Sequence, residues 1–293
     1  MSKSIIVTIS VFISSIFIVF SKKNPELILL YNPDLKKNYS YELKQSIVQE
    51  LSDMNIVSQV IVSAGAELKG KKNNSVISIE GKYPVFKTTI AGMEMANIKD
   101  TTIETRNNEG LNDKLVITNI GEKIEYTRSN EGGIDDTNID PVKLGKTLFY
   151  GCSPFFIQFP EKKLVKGDSW EVVMTGIAPN MNSSFDLSDQ KTKLTYTYIG
   201  TKDTLGKKCV VIKCRSTDFT MNREIKQMGM DLQMEGEGIV KGTYYYDEKD
   251  CMPVLCSMTV ETDLRVAVKG QDANISALNI TFSVYLKRKE VRK

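Results

Sequence analysis

Strict alternation of apolar and polar residues runs through most of this chain, and its longest stretches lie towards the C-terminus. From Met230 to Tyr246 the even-numbered positions are methionine, leucine, valine, tyrosine or glycine. Even positions from Val254 to Val268 and from Leu278 to Leu286 are apolar apart from Thr262, while most of the charge, including Asp231, Glu235, Glu237, Glu261, Asp263, Arg265 and Lys287, is on odd ones. A period of two marks a strand with one buried face. These runs are much longer than the usual strand of about five or six residues, and polar turns at Glu248–Asp250 and Gly270–Asp272 separate them. Long one-faced strands joined by short turns predict a mainly β fold of long, strongly bent antiparallel sheets, half-barrel or barrel-like, with few helices.

Shorter alternating runs predict strands at Val57–Val62, Val76–Glu80, Thr101–Arg106, Leu115–Ile120 and Lys123–Arg128. A short helix is expected over Asp140–Leu148, with Pro141 in its first turn. The aromatic cluster Phe149, Tyr150, Phe155, Phe156 and Phe159 reads as a hydrophobic plug between two halves. The chain repeats itself weakly: Lys37-Asn38-Tyr39-Ser40-Tyr41-Glu42 is echoed by Lys166-Gly167-Asp168-Ser169-Trp170-Glu171, and Asn74–Glu80 by Lys207–Lys213. Each is a polar turn entering a strand, which suggests a degenerate duplication. The expected organisation is a signal segment over 1–21, a first β-rich half over 22–158 and a second over 159–293. Pro160 then closes one half, Gly167 and Asp168 form a turn, and Trp170, the sole tryptophan, anchors the first strand of the second copy.

Gly236, Gly238 and Gly242 fall on the apolar face of their strand, where glycine marks a bend or the close approach of another group. Just before them come Met221, Met228 and Met230, with Met234 between, and methionine adapts to irregular apolar shapes. These seven residues are the candidate ligand-binding set; a coil in the sheet filled by its own core would explain them equally.

Composition narrows the chemistry. The chain has 293 residues, 41% of them hydrophobic, enough for a sizeable core, and a formal charge of +3 gives no case for nucleic acid. The basic end, Lys287 to Lys293, reads as a solvated tail. There is no histidine, so imidazole-based acid–base catalysis and histidine-ligated zinc are excluded within the chain. Carboxylate pairs such as Asp135/Asp136 and Asp186/Asp189 sit in polar, loop-like stretches, so no catalytic residue, metal or cofactor is assigned. Lys3 followed by the apolar run Ile5–Phe20 and then Ser21-Lys22-Lys23 has the pattern of a secretory signal peptide, or of a membrane anchor if it is not cleaved. An exported protein can form disulfides. Cys209 and Cys214 have the same spacing as Cys251 and Cys256, so antiparallel neighbours would bring them face to face in two pairs. Four small buried residues is the preferred reading, because cross-strand bridges demand special geometry.

The stretch Pro160, Leu164-Val165-Lys166-Gly167-Asp168-Ser169-Trp170, with the later Gly242-Thr243-Tyr244-Tyr245-Tyr246-Asp247, resembles a family of exported β-rich bacterial proteins of unknown function. The likeness covers the second half well and the first poorly, and Asp250-Cys251 stand where that family usually has a glycine. The resemblance implies export to a bacterial periplasm or cell surface and transfers no catalytic residue.

The function expected from these readings is that of a non-enzymatic envelope protein binding an apolar or amphipathic ligand, or another envelope component, in a concave sheet. A structural or adhesive surface module is the alternative, and an outer-membrane β-barrel is a third reading.

Overall fold

The computed structural model describes residues 26–51, 55–92, 99–106, 111–128, 145–146, 148–175, 191–216, 219–227, 230–268 and 275–289. The strands are β1 (Asn38–Leu51), β2 (Ile56–Asn73), β3 (Val76–Ala91), β4 (Thr101–Arg106), β5 (Asn112–Thr118), β6 (Lys123–Arg128), β7 (Ser169–Thr175), β8 (Lys191–Thr204), β9 (Lys207–Ser216), β10 (Phe219–Gln227), β11 (Met230–Asp247), β12 (Pro253–Val268) and β13 (Ile275–Arg288). All thirteen belong to one antiparallel sheet in the order β6-β5-β3-β2-β1-β13-β12-β11-β9-β8-β7, with β4 beside β3 and β10 beside β11. Strands expected from alternation form at those places, and β2 and β11 reach 18 residues each. Only residues 145, 146 and 148 of the expected Asp140–Leu148 helix are described, and they are helical; a 3-10 turn follows at Ser153–Phe155.

The path of the chain follows from that order. It enters at mid-sheet with β1, meanders out to the edge at β6, crosses to the opposite edge at β7 and meanders back to β13. There the last strand pairs with the first, from Tyr41↔Arg288 to Leu51↔Leu278. Strands preceding residue 158 therefore form one wing and later ones the other, and β1 and β13 form the seam.

The expectation of a half-barrel or barrel needs correction: the sheet is neither closed nor strongly curled. Its edges, β6 and β7, are short strands of six and seven residues, which is one way natural sheets blunt their edges. The physical reason is that alternation reports a buried face without saying what buries it. Here residues 145–146 and 148–168, the described part of the segment between β6 and β7, pack on the apolar face and do part of the covering that closure would otherwise do.

That segment, the crossover, contributes Leu148, Phe149, Cys152, Phe155, Phe156, Ile157, Phe159 and Leu164 to the core, all buried. Phe149 packs edge-on against Tyr83 and Phe86 of β3, at 4.8 and 5.3 Å between ring centroids. Tyr150 meets Phe282 of the central β13. Further along, Phe159 stacks on Tyr31 and meets Tyr246 of β11 edge-on. The N-terminal stretch holding Tyr31 is tied to the crossover by paired backbone hydrogen bonds between Leu27 and Leu164, 2.9 and 2.8 Å long.

The motif around Trp170 is the device that turns the crossover into β7. Gly167 has φ +98, a conformation that favours glycine, and its amide donates to the Tyr198 carbonyl. Asp168 accepts from the Val165 amide at 3.0 Å. The indole of Trp170 lies over Tyr196 and donates through Nε1 to the Gln158 carbonyl at 2.8 Å, and Pro160 sits half-buried between them in sequence.

Cysteine pairing is settled by topology. β11 lies between β9 and β12, pairing Tyr244 with Ile212 on one side and Cys256 on the other, so the two cysteine pairs are not neighbours. All five cysteines are buried and free. Burial pushes the Cys209 thiol up to about 11 and those of Cys214 and Cys251 up to about 12, which leaves little thiolate for exchange. Unfolding the chain without reductant should therefore expose five titratable thiols to Ellman's reagent; a count of three or one would show that bridges form.

Candidate functional site

The apolar face is the candidate site, and its two ends differ. The strand ends at β1's start, β2's end, β11's end and β13's end lie under the crossover and the N-terminal stretch, and Tyr41, Leu43, Leu68, Tyr246 and Leu286 there are completely buried. At the opposite end, Leu232, Val266, Leu278 and Ile280 pack against the core yet remain partly exposed.

An irregular segment laid over apolar side chains must find partners for its own peptide groups. The sheet supplies them with polar side chains at inward positions. Tyr246 Oη donates to the Phe155 carbonyl at 2.8 Å and Tyr31 Oη to that of Ile157 at 3.0 Å. Tyr126 Oη donates to the Tyr150 carbonyl at 3.1 Å. Gln45, buried in the middle of β1, accepts from the Tyr150 amide at 2.9 Å.

A buried carboxylate, Asp113 on β5, joins these partners. Its Oδ2 accepts from Tyr83 Oη at 2.6 Å and from the Cys152 amide at 3.1 Å, with Tyr126 Oη 3.4 Å away. Two glycines make room for it, since a Cβ on Gly81 or Gly151 would sit 2.1 or 2.0 Å from a carboxylate oxygen. Burial raises the Asp113 pKa, against the pull of Tyr83, Cys152 and Arg128 towards the charged form. Burial likewise pushes the Cys152 thiol far up. Thiol and carboxylate thus stand as a buried staple between crossover and sheet.

The candidate ligand residues divide. Met228 lies outside the described residues, and of Met221 and Met230 only the backbone is described. Register places Met221 opposite Gly236 and Gly236 opposite Leu264, Gly238 opposite Thr262, and Met234 opposite Val266. Met221, Met234, Gly236 and Gly238 therefore share one patch of the apolar face, among the partly exposed Leu232, Val266, Leu278 and Ile280. Gly242 lies outside that patch: a Cβ there would meet the edge of the Tyr244 ring at 2.9 Å, so the protein's own aromatic occupies the space. Gly236 accommodates the β12 backbone, with the Asp263 carbonyl oxygen 2.1 Å from a Cβ. The acidic pairs Asp135/Asp136 and Asp186/Asp189 lie outside the described residues.

Residues that periodicity did not select, Gln45, Asp113 and Arg288, are all polar groups at inward positions of otherwise apolar strands. That misfit within the alternation is the signal that could have found them. The opposite, polar face carries a hollow of about 680 Å³ across β8, β9, β11 and β12, lined by Thr195, Thr197, Lys213, Arg215, Lys241 and Thr243 among others.

No protein-family model matches this chain, and no curated protein does. Among solved structures, one of lipovitellin, described by its lipid–protein interactions, aligns over 87% of this chain and 25% of its own length, with 8% identity and a TM-score of 0.46. The chain thus spans about a quarter of that protein. The β domain of the Bordetella autotransporter BrkA aligns over 86% of this chain and 99% of its own, at 7% identity and a TM-score of 0.26. A DUF1329 family protein from Desulfovibrio piger aligns over 88% and 89%, at 10% identity and a TM-score of 0.18.

Two outcomes follow from this geometry. Gly236→Ala forces a methyl group onto a backbone carbonyl and should cost about 1–3 kcal/mol, the usual range for overpacking. Gly242→Ala meets a ring edge that can shift and should cost clearly less; urea denaturation of both variants checks the order. The second outcome concerns pH. Because the folded-state pKa of Asp113 is raised, its contribution is fully present below the unfolded carboxylate value and is lost as pH rises through the raised folded value. Asp113→Asn should remove that decline, so the stability difference between variant and wild type should change with pH above the usual carboxylate range. A constant difference across that window would contradict the assignment.

Proposed function

We propose that this chain is a non-enzymatic binding protein of the bacterial envelope that holds an apolar or amphipathic ligand against the end of its sheet where inward residues remain partly exposed. The single observation that carries the reading is the unequal covering of one apolar face. Inward residues under the crossover are sealed, whereas Leu232, Val266, Leu278 and Ile280 are not. Apolar area at such a place gains about 25 cal/mol per Å² when a ligand removes it from water. Gly236 and Gly238 keep the patch low at its centre, over a floor that includes the buried Met234. The N-terminal apolar segment supports an envelope location, and the absence of histidine together with buried, high-pKa thiols supports a binding role over catalysis.

A second reading, a structural or adhesive surface module, draws on the polar face. Its 680 Å³ hollow is rimmed by hydroxyls and by Lys213 and Arg215, which have no ion-pair partner among the described residues. Arg215 is placed directly opposite Lys241, a like-charge pairing that costs stability and suits contact with an anionic surface.

The first reading is tested by titrating the chain with palmitate and with dodecyl maltoside. A saturable rise in melting temperature is expected, and Leu278→Ser together with Ile280→Thr should weaken it about tenfold; both residues pack against the core, so the ligand-free melting temperature also falls and each rise is measured from the variant's own baseline. No saturable rise with any apolar ligand would sink the reading.

A further inference from the structure

At the far end of the sheet from the apolar patch, about 30 Å away along β13 at the usual strand rise, four pieces of chain converge. They are the start of β1, the β8–β9 turn, the β11–β12 turn and the end of β13, and they line a half-open cavity of about 470 Å³. That volume lies within the range of about 300–1,000 Å³ typical of small-molecule sites.

Arg288 lies at its heart. It takes an inward register position opposite Tyr41, with its side chain only 9% exposed, and its guanidinium lies over the Tyr39 ring at 4.9 Å and near that of Tyr41 at 5.8 Å. Nε donates to the Pro253 carbonyl at 3.0 Å, and Nη1 to Asp247 Oδ2 at 3.3 Å. Nη2 is buried and has no hydrogen-bond partner among the described residues. The Asp250 carboxylate stands 3.9 Å from it, too far for a hydrogen bond. An unmade hydrogen bond from a buried charged group costs more than the roughly 1–3 kcal/mol of a neutral one, so something should complete this fork.

The cavity around it is set up for a negative charge. Lys37, Lys207, Arg288 and Lys289 line it with the single carboxylate of Asp250. Lys37 is paired with Asp34 and Lys207 with Asp247, while Lys289 has no ion-pair partner among the described residues. Tyr39 and Leu205 add apolar walls. Leu205 does so with φ +48, a conformation that is uncommon for a bulky residue and costs energy to hold.

We propose that this cavity binds an oxyanion carried on a small organic group, with Arg288 and Lys289 as the charged partners and Tyr39 and Leu205 flanking the organic part. Phosphate is the best match, because Arg288 Nη2 and the Lys289 ammonium can donate to separate oxygens of one tetrahedral anion. The site is independent of the apolar patch and does not rest on that reading.

The full chain is titrated with inorganic phosphate at fixed ionic strength, following melting temperature and the guanidinium nitrogen resonances of Arg288. A saturable rise is expected, with the Arg288 resonances moving at the same midpoint. Lys289→Gln should weaken binding at least fivefold and Arg288→Lys at least tenfold, whereas Lys44→Gln, at an exposed position of β1 outside the site, should leave it unchanged. If Arg288→Lys fails to fold, Lys289→Gln and the wild-type resonances decide the matter. Displacement of phosphate by phosphatidylglycerol vesicles identifies a lipid headgroup as the source of the anion; displacement by glycerol 3-phosphate and not by vesicles identifies a soluble phosphate ester. An equal response to chloride, or unchanged phosphate affinity in Lys289→Gln, overturns the proposal.

Discussion

The peptide groups of the crossover are what the rest of this molecule is built to satisfy. A meander that begins and ends at mid-sheet must carry its chain from one edge to the other. Across eleven strands spaced about 4.8 Å apart that is roughly 50 Å, and the route lies over side chains that offer no hydrogen bonds. The solution is a set of polar groups raised from the sheet: Tyr246, Tyr126, Gln45 and Asp113, joined by Tyr31 from the N-terminal stretch and Trp170 from β7. Each donates to or accepts from the backbone of the crossover, which gives its peptide groups at Tyr150, Cys152, Phe155, Ile157 and Gln158 a partner.

This arrangement decides where ligands can go. The described aromatic residues of the crossover fill one end of the apolar face. The less covered patch lies at one end of the sheet and the charged hollow at the other. The two are chemically unlike: one is lined by leucine, valine, isoleucine and glycine, the other by arginine, lysine and tyrosine. The glycines serve this division differently. Gly81 and Gly151 yield space to Asp113, Gly236 to the backbone of β12, and Gly242 to the ring of Tyr244.

Much of the fold was legible from alternation alone, because a strand with one buried face writes a period of two into its residues. The long runs from Met230 to Leu286 became β11, β12 and β13 with few changes at their ends. Closure was not legible, since leucines covered by a crossover and leucines covered by the far wall of a barrel look identical in sequence. Aromatics from Phe149 to Phe159 did identify the plug, though not the width of sheet it spans. Arg288 was read as part of a solvated tail because it sits among Lys287, Lys289 and Arg292. Its even number, in step with Leu286 and Val284, was the better guide to its burial. Asp113 and Gln45 broke an apolar period in the same way, and a polar residue that keeps the phase of a buried face is a candidate for a structural or binding role.

The seam between β1 and β13 has a kinetic consequence. Tyr41 and Arg288 are direct partners although more than two hundred residues separate them, and neither wing has its central neighbour until the last strand is available. Pairings of such long sequence separation are slow to form, because the intervening chain must be ordered first. A chain built this way stays unfinished while any of its C-terminal strand is missing. That property makes the final strand the latch that completes the sheet.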